Sequence, residues 1–156
     1  MAANASRVKF LVDFDDSVTL RDPTDGTETA TAAEAAISLN ELDTAYWHDG
    51  NEIPYGVLKV LINVTSTDAT TGDETYVLSI RVDDVAAQND SPVTVWSQTI
   101  ARGFTGVIMA DIDVDNIPRL DTDTTGTDKF IAIVATLGGT TPIIGYGAWI
   151  VKSVKG

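Results

Sequence analysis

The sequence contains no cysteine and only one histidine, and both shortages restrict the chemistry that the chain can support. Without cysteine, disulfides and thiolate metal ligands are excluded, and the redox compartment stays undetermined. The single histidine, His48, has no second histidine or cysteine beside it, which leaves transition-metal sites and triads with Ser or Cys without support. The segment Gly103–Gly106 lacks the lysine and the helix start of a phosphate-binding loop. We therefore expect a protein that is not an enzyme and that uses no cofactor.

Basic residues are also scarce, with 10 Lys and Arg against 23 Asp and Glu and a net charge of −13. Nucleic-acid binding needs cations that displace phosphate counterions, and an anionic membrane surface repels the same charge. The longest apolar candidate, Ile131–Trp149, is interrupted by threonine, glycine and proline and falls short of a membrane helix. Met1–Ser6 has no basic start of a signal peptide. We expect no nucleic-acid partner, no membrane partner and synthesis in the cytoplasm.

The composition is that of an ordinary folded chain, with 156 residues, 44% hydrophobic and 21% charged. No linker, internal repeat or shift in composition divides it. We expect a single domain over residues 1–156, in which Met1–Arg7 is a candidate N-terminal arm that reaches a neighbouring molecule.

Short β-branched runs separated by clusters of Asp, Gly, Thr, Asn and Pro predict strands throughout the chain. The predicted strands are Val8–Phe14, Val18–Leu20, Val57–Thr65, Tyr76–Val82, Val93–Thr99, Gly106–Val114, Phe130–Leu137 and Ile143–Val151. The near-continuous apolar run Val57–Thr65 predicts a strand in the middle of a sheet with both faces covered, whereas Tyr76–Val82 alternates between apolar and polar residues. No segment has the apolar spacing of a helix. The pattern predicts an all-β fold, a single-domain antiparallel β-sandwich, with a jelly roll of about eight strands favoured over an immunoglobulin-like arrangement.

The segment Ala30–Leu39 is ambiguous, because its five alanines suit a helix. Its neighbouring threonines and the closing Ile37–Leu39 suit an extended chain better. We therefore predict a strand there.

The run Asp111–Asn116 resembles the first half of a calcium-binding loop, with carboxylates at Asp111, Asp113 and Asp115. An EF-hand loop would add a glycine at its sixth position and a glutamate at its twelfth, where this chain has Asn116 and Thr122. The alternation with Ile112 and Val114 favours a strand with an acidic outer face. A weak surface calcium site remains the alternative interpretation.

The long loop predicted over Asn40–Tyr55 contains Tyr46, Trp47 and His48. Aromatic residues of this kind are favoured both in buried corners and in contact patches. If the loop is a contact patch, then Tyr46, Trp47, His48 and Tyr55 are the candidate protein-interface residues.

The order of the strands resembles a family of tailed-phage head proteins, the jelly-roll capsid-stabilising or cement proteins of the Bordetella-phage type. Three parts of this chain carry the resemblance. Its segments Leu11–Thr19, Thr29–Ala33 and Ile37–Leu39 resemble the opening strands of that family, and Ile53–Thr65 resembles the family's long central strand. Its segments Lys129–Thr140 and Gly145–Val151 resemble the family's final hairpin. The acidic loops at 67–74 and 121–128 and the aromatic loop at 46–48 match nothing in that pattern.

The resemblance implies a jelly roll that assembles as a homotrimer and clamps neighbouring major capsid protein subunits on the outer surface of the virion. It supplies no catalytic or ligand residues. The net negative charge is consistent with a place outside the shell, away from the packaged DNA. The alternative is a carbohydrate- or receptor-binding module on the same scaffold, which would need Tyr46, Trp47 or Trp96 exposed as a stacking platform.

Overall fold

The computed structural model describes residues 10–11, 19–39, 57–113 and 130–153, and most of these residues lie in β-strands. The strands are β1 Phe10–Leu11, β2 Thr19–Arg21, β3 Thr27–Glu28, β4 Ala32–Ala33, β5 Ile37–Ser38, β6 Val57–Thr67, β7 Thr75–Asp83, β8 Val93–Ile100, β9 Gly106–Asp113, β10 Phe130–Gly138 and β11 Ile144–Ser153. A 3-10 turn at Pro23–Asp25 separates β2 from β3, and the Asp22 carboxylate caps it by accepting the Thr24 amide.

The strands form two antiparallel sheets. In sheet one, the short strands β1, β2 and β3 pair in succession along one edge of β11, and the order continues through β6 to β9. In sheet two, β4 and β5 pair along β10, and the order continues through β7 to β8. Counted as eight positions along the chain, with β1–β3 as the first and β4–β5 as the second, the sheets read 1-8-3-6 and 2-7-4-5. This is jelly-roll topology, which confirms the predicted fold class.

The core lies between the two sheets and follows the two-residue period of the strands. In β7, Tyr76, Leu78, Ile80 and Val82 are buried on the inner face, as the alternation of the sequence predicts. The other long strands contribute inner-face residues in the same way, among them Val60 and Ile62 from β6, Ile108 and Ile112 from β9, Ile131 and Ile133 from β10, and Tyr146 and Ile150 from β11.

The structure confirms one prediction about an individual strand segment and contradicts another. Ala30–Leu39 is extended and supplies β4 and β5, as predicted. The prediction that Val57–Thr65 is covered on both faces is wrong. Inner-face residues Leu58, Val60, Ile62 and Val64 are buried, but Lys59, Leu61 and Asn63 are partly exposed and Thr65 is exposed. The strand is central, between β11 and β9, and only its inner face packs against another sheet.

Within the described residues, no helix is long and apolar enough to cross a membrane.

Candidate interaction surface

All of the interface residues predicted from the sequence lie outside the described residues. Tyr46, Trp47, His48 and Tyr55 all belong to the segment 40–56, and the candidate arm Met1–Arg7 lies before the first described residue. Their role therefore stays a prediction.

The calcium candidates are divided between described and undescribed residues. Asp111 lies in β9, is exposed, and its carboxylate accepts a hydrogen bond from the Lys59 ammonium of β6 at 2.6 Å. Asp113 is the last residue of β9, opposite Val57 in the ladder, and Asp115 lies outside the described residues. Nowhere in the described part of the chain do three or more His, Cys, Asp or Glu side chains cluster as a metal site. The strand interpretation thus accounts for Asp111.

A buried arginine is the most enclosed charge that the structure describes. The Arg21 side chain is fully buried, and its Nε donates to Glu34 Oε1 at 2.7 Å while Nη2 donates to Glu28 Oε1 at 3.0 Å. Arg21 belongs to sheet one, whereas Glu34 lies between the two strands that pair with β10 of sheet two, and its amide bonds the Ile133 carbonyl. The Arg21–Glu34 ion pair therefore joins the two sheets.

The remaining donors of Arg21 bind backbone oxygens. Nη1 donates to the Tyr146 carbonyl at 2.6 Å and to the Asp22 carbonyl at 3.4 Å, and Nη2 donates to the Gly26 carbonyl at 3.1 Å. The guanidinium also lies over the Tyr146 ring, 4.5 Å from its centroid. With every donor engaged, Arg21 is a structural centre with no donor left for a ligand.

The surroundings of this centre raise the pKa of Arg21, Tyr146 and Glu34. Burial alone would lower the pKa of Arg21, but the hydrogen bonds to Glu28 and Glu34 raise it overall. Burial raises the pKa of Tyr146 above its usual range, and the carboxylate of Glu34 adds to the effect, so the phenol stays protonated. Burial also raises the pKa of Glu34, which Arg21 opposes and the neighbouring Glu28 reinforces.

A second polar cluster fastens the β6–β7 loop to the β10–β11 loop. The Asp73 carboxylate accepts the Thr140 amide at 3.0 Å, the Thr140 hydroxyl at 2.8 Å and the Thr71 hydroxyl at 2.9 Å. Glu74 accepts the Thr71 amide at 2.7 Å and the Gly72 amide at 2.8 Å, and it shares the single hydroxyl proton of Thr71 with Asp73. These bonds lower the pKa of both carboxyls and hold them ionised.

At the opposite end of β7, Asp83 organises the loop that leads to β8. Its carboxylate accepts the Asp84 amide at 2.7 Å and the Asp90 amide at 2.9 Å. Gln88 donates to the Phe130 carbonyl at 3.1 Å and thereby ties this loop to β10. Among the described residues, the buried or enclosed carboxylates are thus bound by donors that stabilise the fold.

The surface with the strongest indication of a binding role is an uncharged sheet edge. Strand β8 is the last strand of sheet two and pairs only with β7 in the described part of the chain. Its eight residues, Val93–Ile100, include no charged side chain, and most are exposed. Strand β9 follows after a short turn and is the last strand of sheet one, with Val107 64% exposed and Met109 39% exposed.

We call this surface the neutral edge. Its exposed residues are Val93, Thr94, Ser97, Gln98, Thr99, Val107 and Met109. Solvent-exposed edge strands are usually protected by charges or prolines, because their free N–H and C=O groups pair readily with other chains. Here Pro92 precedes β8 and a bulge interrupts the β7–β8 register between Ile80 and Arg81, but the segment from Trp96 to Ile100 is regular.

Sequence reasoning missed both the Arg21 centre and the neutral edge. Arg21 is the only lysine or arginine between Lys9 and Lys59, and it directly follows the buried Leu20, which is a signal that could have identified a buried cation. No acidic residue lies between Asp90 and Asp111, in a chain where acidic residues outnumber basic ones by more than two to one. That stretch without acidic residues marks the neutral edge.

Comparisons with known proteins add no relative: no family model matches the chain, and no curated protein or solved structure matches it significantly.

Proposed function

We propose that this protein is a non-catalytic decoration protein of a tailed-phage head. In this role it binds the outer surface of the shell as a homotrimer and stabilises the contacts between major capsid protein subunits through binding energy alone. The observation that carries the proposal is the neutral edge, a protein-binding type of surface on an otherwise acidic jelly roll.

The buried polar groups support a structural role. Four charged side chains form hydrogen bonds that join strands and loops: Arg21, Asp73, Glu74 and Asp83. A rigid sandwich held in this way changes little in shape on binding, which suits a protein that acts by adding contact area to a shell. The net charge of −13 favours a position outside the shell, where it does not compete with packaged DNA for counterions.

The proposal is tested with empty heads assembled from the major capsid protein of the same genome. We expect the purified protein to co-sediment with expanded heads at a fixed stoichiometry and to raise the temperature at which the heads break. In solution, light scattering after size exclusion is expected to give three times the 16.6 kDa chain mass. Failure to bind the heads would overturn the proposal, and a mass other than that of a trimer would overturn its homotrimer part.

The same experiment tests the predicted interface role of the aromatic loop at 46–48. Trp47→Ala is expected to weaken either trimer formation or head binding, because tryptophan is a frequent energetic centre of interfaces. Unchanged trimer mass together with unchanged head binding would remove Tyr46, Trp47, His48 and Tyr55 from the proposed interface.

The alternative, a carbohydrate- or receptor-binding module, gains little from the described residues. Trp96 packs against the core and is only partly exposed, so it does not form the open stacking platform that the alternative needs. Glycan binding that quenches tryptophan fluorescence, in a protein that ignores heads, would favour this alternative over decoration.

A further inference from the structure

We propose that the neutral edge docks a second copy of this chain, with Arg81 receiving a carboxylate from that copy. The inference rests on the self-association in the proposed function and identifies the surface that performs it. It is independent of whether the assembled protein then binds a phage head.

The backbone of β8 offers the first half of the argument. An eight-residue strand presents an edge about 27 Å long, at about 3.4 Å per residue, and about half of its N–H and C=O groups point away from the strand with which it pairs. Along the regular segment Trp96–Ile100, neither a charge nor a proline interrupts those groups. Addition of a strand from another chain is the binding mode that such an edge supports.

Charge selects the part of the surface at which two copies can meet. Each copy carries a net charge of −13, so surfaces rich in carboxylates repel one another at close range. Screening by salt weakens this repulsion beyond roughly 8–10 Å but not at contact distance. No acidic residue lies between Asp90 and Asp111, so this stretch of the neutral edge presents no carboxylate. A second copy therefore meets less electrostatic repulsion at this edge than at a surface rich in carboxylates.

Arg81 lies beside this edge, is partly exposed, and forms no ion pair with any residue that the structure describes. It is in β7, directly opposite Thr94 of β8, and its Nε is buried without a hydrogen-bond partner in the described structure. Asp83, two residues further along the same strand, already binds two backbone amides. The Nε atom itself is too enclosed to meet another molecule, but the exposed part of the Arg81 side chain can pair with a carboxylate of a second copy, of which each chain has 23.

Ser79 extends the same feature along the outer face of β7. It lies opposite Ser97 of β8, is 3% exposed, and its hydroxyl has no hydrogen-bond partner among the residues that the structure describes. Buried polar atoms without partners are unfavourable in an isolated fold. Because the Ser79 hydroxyl and Arg81 Nε are both enclosed, only the exposed part of the Arg81 side chain is within reach of a second copy.

The first experiment uses Ser97→Glu, which adds a negative charge in the middle of β8. Thr136→Glu is the matched control, because it makes the same change at an exposed position of β10, two strands away. Association is measured by light scattering over a concentration series, with melting temperature as a check on folding. We expect Ser97→Glu to weaken association by about tenfold or more and Thr136→Glu to leave it unchanged.

A second pair of variants tests Arg81. Arg81→Glu is expected to weaken association by a similar factor of about tenfold, and the loss should shrink at high salt because it is electrostatic. Arg102→Glu is the control, since Arg102 carries the same charge in the turn after β8, beyond the far end of the strand. Equal effects of the two substitutions would show a general charge effect and overturn the role of Arg81.

Because the chain has no cysteine, the docking surface can be mapped by the reactivity of a single introduced thiol. Ser97→Cys introduces the only thiol in the chain, and we expect this thiol to react with a maleimide slowly in the assembled protein and rapidly after dilution to monomer. Thr136→Cys should react rapidly in both states. A wild-type protein that is monomeric at all concentrations, or equal reactivity of the two thiols in the assembly, would overturn the inference. In either case, head binding by the same samples tests the proposed function separately.

Discussion

Arg21 shows how a single residue can connect parts of the chain that are far apart in sequence. Its guanidinium bonds the Tyr146 carbonyl, 125 residues away, and at the same time pairs with Glu28 and Glu34. A charge buried to this extent is tolerated only because carboxylates and carbonyls replace its water. If the cation is removed, the same carboxylates destabilise the fold, because their charge is no longer neutralised.

We predict that Arg21→Met lowers the free energy of unfolding by about 3–5 kcal/mol, because it leaves two partly buried carboxylates without their cation. Urea unfolding followed by tryptophan fluorescence measures the loss. The triple variant Arg21→Met, Glu28→Gln, Glu34→Gln should recover part of the stability by removing those charges. A loss below about 1 kcal/mol in the single variant would contradict the importance of this centre.

Gly139 is a second position at which one residue limits the fold. Its φ is +88°, and a Cβ added there would lie 2.4 Å from the Asp73 carbonyl oxygen. Gly103 has a comparable φ of +73° but has open space around the same position. The pair therefore separates backbone conformation from steric clash.

We predict that Gly103→Ala costs about 1–2 kcal/mol for its left-handed backbone conformation. Gly139→Ala should cost about 1–3 kcal/mol more, because the Asp73 backbone would have to move. Thermal unfolding of both variants compares the two values. Equal losses of stability in the two variants would mean that the Asp73 backbone moves away from Gly139 at little energetic cost.

At the scale of structural elements, the contact between the β6–β7 and β10–β11 loops depends on ionised carboxylates. The pKa of Asp73 is lowered by its bonds to Thr140 and Thr71, and that of Glu74 by its bonds to Thr71. A carboxyl with a lowered pKa stabilises the fold above its ordinary pKa, and this contribution disappears as the pH falls through the lowered value. The raised pKa of Glu34 acts in the opposite direction, since its contribution is lost as the pH rises.

We predict that Asp73→Asn lowers the melting temperature at pH 7 and reduces the fall in melting temperature between pH 5 and pH 2.5. Thr140→Val, which removes one donor but keeps the carboxylate, should shift the profile in the same direction by a smaller amount. Melting curves across this pH range provide the measurement. A variant profile parallel to that of the wild type would show that Asp73 does not contribute to acid unfolding.

At the scale of the whole molecule, the net charge of −13 opposes the compact state through self-repulsion. We predict that raising NaCl from about 20 to 500 mM increases the melting temperature by about 2–4 °C, equivalent to about 1 kcal/mol for a domain of this size. Calcium should add no more than magnesium at equal ionic strength if Asp111, Asp113 and Asp115 form only an acidic face. A calcium-specific increase at millimolar concentration would instead favour the metal site.

Some features of this protein follow from local sequence alone. The alternation in Tyr76–Val82 and the β-branched runs of β6, β10 and β11 predicted the strands, because side chains in a strand alternate between its faces whatever the strand pairs with. The order and spacing of the strands, with the family resemblance, favoured a jelly roll, and the sheet order confirms it. The excess of acidic over basic residues likewise follows from the composition alone.

Other features were decided only by the tertiary structure. Residue composition could not show that β6 is buried on one face, that β8 and β9 lie at the free edges of their sheets, or that Arg21 lies within hydrogen-bonding distance of Glu34 and Tyr146. Each of these depends on which distant strands pair and which faces meet. The two-residue period of a strand specifies neither, because it records how side chains alternate and carries no information about the neighbouring strand.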